Sequence, residues 1–250
     1  MKLYRQLAEY YFAIESNHRN IEDDVGLMLS LLSGRRGPKL IDLGCGTGEH
    51  LALLSEHGVR CTGIDSSADM LRIARLRFPS GIEFDRKDMR KFDYFESFDM
   101  AVSLFGSFNY MIDDGDVDRV FWNTWRALVP GGAGLFEIWN AVPVRRIEKK
   151  DLDLVSRTSI GGAIIERHRG FAIHGSRERT VVDVNYSYNI SRGASVETLR
   201  DRHAMRAFSI DEISAFITGN GFEIRGLYSN SRGEPYRETS NKILIHFSKS

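Results

Sequence analysis

The run Leu40-Ile41-Asp42-Leu43-Gly44-Cys45-Gly46-Thr47-Gly48 sets three glycines at alternate positions behind a short apolar stretch. Glycine lacks a Cβ, so such a loop lets the chain turn sharply and lets a ligand approach the backbone, while the first amides of a following helix stay free to donate. Asp65 comes 23 residues after Asp42, at the end of a second apolar stretch. From there a carboxylate can accept hydrogen bonds from both hydroxyls of a ribose. Loop and carboxylate together describe a nucleoside site.

The spacing separates two classes of nucleoside ligand. A dinucleotide fingerprint reads G-x-G-x-x-G, so that a pyrophosphate lies on the helix N-terminus; here the order is G-x-G-x-G. Asp42, two residues ahead of the first glycine, would repel a pyrophosphate but suits a cationic amino-acid end. Both features favour S-adenosylmethionine over a nicotinamide cofactor.

At these residues the sequence resembles the class I S-adenosylmethionine-dependent methyltransferases, whose first motif is an acidic residue followed by G-x-G-x-G. By that resemblance Asp42, Gly44, Gly46 and Gly48 line the methionine side of the cofactor and Asp65 holds the ribose. Ser66 and Met70 would flank the adenine, Asp88 and Met89 would meet its edge, and Leu104 and Phe105 would lie on the sulfur side. Tyr11, with Tyr10, could close over the cofactor. A finer resemblance, to bacterial small-molecule N-methyltransferases including those that dimethylate nucleotide-linked amino sugars, rests on Tyr10-Tyr11, His50-Leu51, Ser67-Ala68-Asp69-Met70-Leu71, Asp88-Met89-Arg90, Glu137 and Trp139. Those sugar enzymes tend to carry His where this chain has Tyr110.

Other methyl-transfer chemistries fit less well. The stretch Ser103-Leu104-Phe105-Gly106-Ser107-Phe108-Asn109-Tyr110 lacks the acidic-or-Asn, Pro-Pro, aromatic pattern of enzymes acting on base amines. Cys45 lies inside the glycine loop and Cys61 on a strand, so neither is placed as a nucleophile. No acid precedes Asp113 in this region to hold magnesium, and no metal is expected. What remains is transfer to a small nucleophile, with Tyr110 and Trp139 as aromatic side chains that orient it. Positioning alone can supply on the order of 7 to 11 kcal/mol of such a barrier. His168, His174 and His203 could each reach a substrate proton, but each is read first as a surface or packing residue, because a lone histidine carries little information.

These residues need elements to hold them. Apolar periodicity gives a helix from Asn20 to Gly34, then strand and helix in alternation. Strands are expected at Lys39–Gly44, Arg60–Asp65, Ile82–Asp88, Asp99–Phe105 and Gly134–Trp139, with helices at His50–His57, Ala68–Phe78 and Asp116–Val129 between them. That rhythm means a parallel sheet with helices on both faces. Gly162–Ile173, Arg179–Ile190 and Glu197–Ala207 read as three long strands of an inserted antiparallel sheet, and the resemblance implies that such an insertion covers the substrate pocket or makes a contact in a homodimer. Ser209 and Glu212 then form a capping-box spacing for a last helix, followed by strands Phe222–Tyr228 and Lys242–Phe247. The expected fold is therefore α/β, a doubly wound, seven-stranded, mostly parallel Rossmann-like sheet with a small antiparallel insertion. Its parts are residues 1–140, 141–207 and 208–250.

Composition limits the partners. Lys plus Arg and Asp plus Glu balance at 34 each, which removes the basic field usual for nucleic-acid or anionic-membrane binding. The segment from Arg145 to Arg206 holds 13 basic and 8 acidic residues, so an anionic or nucleotide-linked small molecule would suit it. Two cysteines make no disulfide framework, no apolar run approaches ~20 residues, and the first residues lack the apolar core of a signal peptide. The expectation is a cytoplasmic enzyme that methylates a small-molecule acceptor, an amine before an oxygen, without metal or covalent intermediate. The competing expectation is a silent cofactor-binding subunit of another methyltransferase.

Overall fold

Five strands lie side by side in parallel because each is an apolar run whose return is made by a helix or a long loop on a sheet face. They are β1 (Lys39–Leu43), β2 (Arg60–Asp65), β3 (Ile82–Arg86), β4 (Phe98–Ser103) and β5 (Leu128–Trp139). With β11 (Lys242–Lys249), antiparallel to β5, and β10 (Phe222–Tyr228), antiparallel to β11 and so parallel to the five, they form one seven-stranded sheet in the order β3-β2-β1-β4-β5-β11-β10. The structure, a computed structural model, describes residues 1–16, 20–147, 150–175 and 179–250.

Alternation along the strands sends side chains to two cores. Leu40, Met100, Val102, Leu135 and Leu244 point to one, packed under α2 (Ile21–Leu31), α3 (Glu49–Glu56) and α4 (Ala68–Arg77). Ile41, Leu43, Ala101, Phe136 and Ile245 point to the other, under α5 (Asp114–Ala127) and α7 (Ile210–Gly219). The caps expected from sequence form: Asn20 accepts from Glu22, and Ser209 with Glu212 closes a full capping box. Strand β5 begins at Leu128 rather than Gly134, because the Pro130-Gly131 step is absorbed by a register shift against β4 between Phe98 and Met100. Helix α5 starts at Asp114, two residues earlier than its apolar pattern, with Asp113 at its N-cap.

The antiparallel sheet has four strands, not three. Ahead of β7 (Ala163–Gly175), β8 (Thr180–Arg192) and β9 (Ser195–Ala207) comes β6 (Lys150–Ile160), joined to β7 through Gly161-Gly162, both with positive φ as a two-residue hairpin turn requires. The insertion leaves the carboxyl end of β5 through Asn140 and α6 (Ala141–Val144) and returns at Phe208. That residue's amide donates to the Trp139 carbonyl at 2.9 Å, while Ala141 N–H donates to the Phe208 carbonyl at 2.9 Å. Its inner face, including Ile165, Val182, Val184, Tyr188 and Met205, buries Leu3, Leu7 and Ile14 of the N-terminal segment, whose helical turn is α1 (Tyr11–Glu15). Several of its described arginines form ion pairs, among them Arg167 with Glu15, Arg202 with Asp183, and Arg206 with Asp114 and Glu212. No described helix is long and apolar enough to cross a membrane.

Candidate functional site

The chain order reverses between β1 and β4, and in an open α/β sheet the crevice at the carboxyl ends of such a pair is where ligands bind. Here a cavity of about 500 Å³ opens there, lined by Gly44, Gly46, Asp65, Ser66, Met70, Asp88, Met89 and Tyr110, with Tyr4, Arg5 and Tyr11 from the N-terminal segment. A smaller chamber adjoins it through Tyr11, Gly44 and Gly46 and reaches Asp42, Glu49, His50, Leu104 and Phe105.

The glycine loop is held by its own geometry. Gly44, Gly46 and Gly48 have φ of 90°, 58° and 86°, a region that L side chains rarely adopt. At Gly44 a Cβ would also stand 2.7 Å from the Cβ and Oγ of Ser107, so the loops after β1 and β4 fit together only because that atom is missing. Gly48 differs from the other two. It lines neither chamber, and a Cβ there would meet the Phe84 ring at 2.8 Å, so it serves the packing of the loop on the sheet.

Asp65 closes β2 and turns back under the loop. Its Oδ2 accepts from Gly46 N–H at 3.0 Å and its Oδ1 from Ser67 N–H at 2.8 Å. Burial pushes this carboxyl up, and those two amides only partly offset it. A carboxylate has about four acceptor sites, so a pair of hydroxyl donors from the cavity would satisfy what the protein leaves. Ser67 caps α4 through Met70 N–H and donates its hydroxyl to the Tyr4 carbonyl at 2.6 Å, which fixes the N-terminal segment at the cavity wall. Met70 lies with its methyl 3.3 Å from where a Cβ of Gly46 would be.

Asp88 lines the cavity, but its carboxylate is taken by Arg90. Two bonds run from Arg90 Nε, at 2.9 and 3.1 Å, a third comes from the Arg90 amide at 2.9 Å, and the guanidinium holds Asp88 below its ordinary value. What Asp88 presents to a ligand is therefore set by Arg90, which the sequence offered only as part of the Asp88-Met89-Arg90 run and with no role of its own. In the smaller chamber Asp42 and Glu49 supply negative charge, and His50 lies 3.1 Å from Asp24 with its ring 5.3 Å edge-on to Phe105. Phe105 itself has φ of 55°, followed by Gly106 at 73°, a tight turn that carries β4 into the 3-10 helix Ser107–Tyr110. Cys45 and Cys61 are buried, and burial pushes both thiols up, Cys61 to about 12.

Of the two side chains expected to orient an acceptor, Tyr110 borders the cavity and Trp139 does not. The Trp139 indole packs beneath the Gly106 turn, its Nε1 3.4 Å from the Cβ position there, so it supports the loop that carries Tyr110. No described residue of 141–207 lines either chamber. Residues 1–16 form the wall, and the insertion backs them. Among its contacts with residues that line the chambers, Arg167 pairs with Glu15, the His203 ring packs on Tyr4, and His203 of β9 hydrogen bonds the Tyr110 hydroxyl. His203 is 2% exposed. Nothing in a lone histidine announces such a partner, and the reading of His203 as packing passed over it.

Comparison with known proteins gives this arrangement a family context. Residues 40–132 match the family model described as a methyltransferase domain. The chain is similar to the putative methyltransferase YqeM of Bacillus subtilis, with 26% identity over 223 residues covering 85% of this chain and 84% of that one. It is also similar to the dTDP-4-amino-2,3,4,6-tetradeoxy-D-glucose N,N-dimethyltransferase of Saccharopolyspora spinosa, with 28% identity and 90% of each chain covered. Among solved structures, an S-adenosylmethionine-dependent methyltransferase from Clostridium acetobutylicum superposes with a TM-score of 0.82 at 16% identity, over 99% of both chains.

Proposed function

We propose that this chain, which belongs to the class I S-adenosylmethionine-dependent methyltransferases, transfers a methyl group to the amino group of a small, anionic or nucleotide-linked acceptor. The observation that carries this reading is the cavity itself. It brings together the glycine loop and Asp65, whose two amide bonds leave acceptor capacity, with the Tyr4 and Tyr110 hydroxyls, and Arg5, Arg86 and Lys87 also line it.

In this reading Asp65 takes the ribose hydroxyls, and Ser66, Met70 and Met89 enclose the adenine, with Asp88 fixed beside it by Arg90. Gly44 and Gly46 let the backbone approach. Asp42 and Glu49 face the amino-acid end, and Leu104, Phe105 and Tyr11 enclose the sulfur side. When bound, the sulfonium supplies an electrophilic methyl carbon that needs neither metal nor covalent help. The chain's own contribution is to hold an uncharged nitrogen in line with that carbon, and such positioning provides most of the rate. Tyr110 orients the acceptor by its hydroxyl, and the cations lining the cavity attract an anionic tail.

The relative from Saccharopolyspora spinosa acts on a dTDP-linked amino sugar, which supports that acceptor class. A panel of amines, dTDP-linked amino sugars and matching alcohols, assayed for release of S-adenosylhomocysteine, tests the reading. Turnover with an amino sugar is expected. Turnover with alcohols alone would make the chain an O-methyltransferase, and cofactor binding without turnover on any acceptor would make it a binding subunit.

A further inference from the structure

Tyr110, His203 and Asp201 form a line from the cavity into the antiparallel sheet. The Tyr110 hydroxyl is bonded to Nδ1 of His203 and lies 2.9 Å from the Tyr4 hydroxyl. On the far side of the ring, Nε2 of His203 stands 3.1 Å from Oδ2 of Asp201, an ion-pair distance without hydrogen-bond alignment, so it is the carboxylate's charge that favours a proton on that nitrogen. The same Asp201 oxygen accepts the backbone amides of Lys2 and, at 3.0 Å, of Leu3.

Charge and hydrogen-bond capacity decide where the protons sit. A carboxylate opposite Nε2 holds a proton there, which leaves Nδ1 bare and makes the Tyr110 O–H its donor. The Tyr110 oxygen then keeps two acceptor positions. One receives the Tyr4 O–H, and the other is left for a donor in the cavity. An ammonium group is such a donor, and it has no lone pair to attack with until it gives up a proton.

Taking the acceptor to be an amine, as proposed above, we infer that Tyr110, His203 and Asp201 are a relay that removes the proton each methylation releases. The ammonium N–H bond breaks with its electron pair staying on nitrogen. Its proton passes to the Tyr110 oxygen as the proton of Tyr110 passes to His203 Nδ1, and the imidazolium so formed lies against the Asp201 carboxylate. The freed lone pair forms the bond to the transferred methyl group, and the old carbon–sulfur pair stays on sulfur. After the product leaves, the reverse hop returns the proton through Tyr110 to water in the cavity. Tyr110 is the catalytic residue of the three; His203 and Asp201 act through it.

The surroundings suit that traffic. Burial pushes the Tyr110 phenol up, so it cannot hold charge as a phenolate and must hand its proton on. Burial also pushes His203 down, so the ring is neutral and open to a proton near pH 7. Facing it are Tyr4, Tyr110, the Tyr186 ring at 5.1 Å, Arg167, the α-amino group of Met1, and Asp201. The two cations oppose a standing positive charge on the imidazole, and Asp201 stabilises a transient one.

Two measurements test the relay. NMR of the full chain with 15N-labelled histidine should show His203 at about pH 7 as the Nε2–H tautomer with a bare Nδ1, and Asp201→Asn should mix the tautomers. This arm needs no substrate, so it decides the relay even if the amine reading fails in the acceptor panel. With a dTDP-linked amino sugar as acceptor, His203→Asn should lower kcat by about tenfold or more near pH 7 and leave the Kd for S-adenosylhomocysteine within about twofold. The deficit should close towards about pH 9, where the amine arrives neutral. An Nδ1–H tautomer in the unmodified protein, an undiminished rate in His203→Asn, or a deficit equal at both pH values overturns the relay.

Discussion

Nη2 of Arg206 on β9 and Oε1 of Glu212 on α7 stand 2.6 Å apart, and the same nitrogen lies 2.7 Å from Asp114 at the start of α5. Arg206 is 2% exposed, and it also donates to the Ile112 carbonyl at 2.8 Å. One buried guanidinium thus fastens the antiparallel sheet to two helices of the parallel part. Hydrogen bonds to charged groups are worth about 1.5 to 3 kcal/mol, and the carboxylates left behind, Asp114 at 54% and Glu212 at 15% exposed, can be solvated. Arg206→Met should lower stability by that order in urea unfolding. A loss below about 1 kcal/mol would mean that the apolar contacts of the insertion suffice without it.

Asp65→Ala removes the acceptor of the Gly46 and Ser67 amides and, in the proposed reading, of the ribose hydroxyls. Charge-assisted bonds of this kind are worth about 1.5 to 3 kcal/mol, which is roughly 10- to 150-fold in affinity. Calorimetry with S-adenosylhomocysteine should record that loss. Unchanged affinity would place the nucleoside elsewhere.

Gly44 and Gly48 should separate binding from packing. Gly44→Ala forces a Cβ against Ser107 at a left-handed φ, which costs on the order of 1 to 2 kcal/mol from the backbone alone. It also moves a surface that lines the cavity, so affinity should fall with stability. Gly48→Ala strains the same loop but meets Phe84 behind it. It should lower the melting temperature with a smaller effect on affinity. Ser107→Gly should restore part of the binding lost in Gly44→Ala and none of that lost in Gly48→Ala.

Acid should act in two stages. Burial holds His203 and His246 below the ordinary histidine value, so on acidification the unfolded chain takes up these protons before the folded one does. Their neutral burial costs nothing above about pH 6.5, and stability falls as pH drops below that value. Asp114, held down by Arg206, and Asp88, held down by Arg90, act later. Their contribution is complete above the ordinary carboxylate range and is lost as pH falls through their depressed values. Melting curves from about pH 8 to 3 should show both declines, and His246→Gln should weaken only the first.

The parallel part was legible because its signals are local. Asp42, the three glycines and Asp65 fall within one strand, loop and strand, and each apolar run from Lys39 to Trp139 is bounded by a helix or a turn residue. Strand β6 was not legible. It lies at the sheet edge with Leu152 and Leu154 about half exposed, 45% and 55%, and its alternation of Asp, Leu and Ser points to no buried face. Of the wall formed by residues 1–16 only Tyr10 and Tyr11 were legible; Tyr4 was not, since it and Ser67 meet only once the chain has folded. Tyr110 and His203, 93 residues apart, are an extreme case: neither side chain carries a local sign of the other, and only the return of β9 beside the 3-10 helix joins them.

The burial of Cys45 and Cys61 makes this chain a convenient host for a single chemical probe. A thiol reacts as its thiolate, and both native thiols are shielded and hard to ionise, so an alkylating reagent should leave them untouched under native conditions. A cysteine introduced at exposed Gln6 would then be the one reactive position, set on the segment that walls the cavity. A fluorophore attached there would report in real time whether that segment shifts when a nucleoside enters, and mass spectrometry showing one adduct per chain would verify that the signal comes from that site.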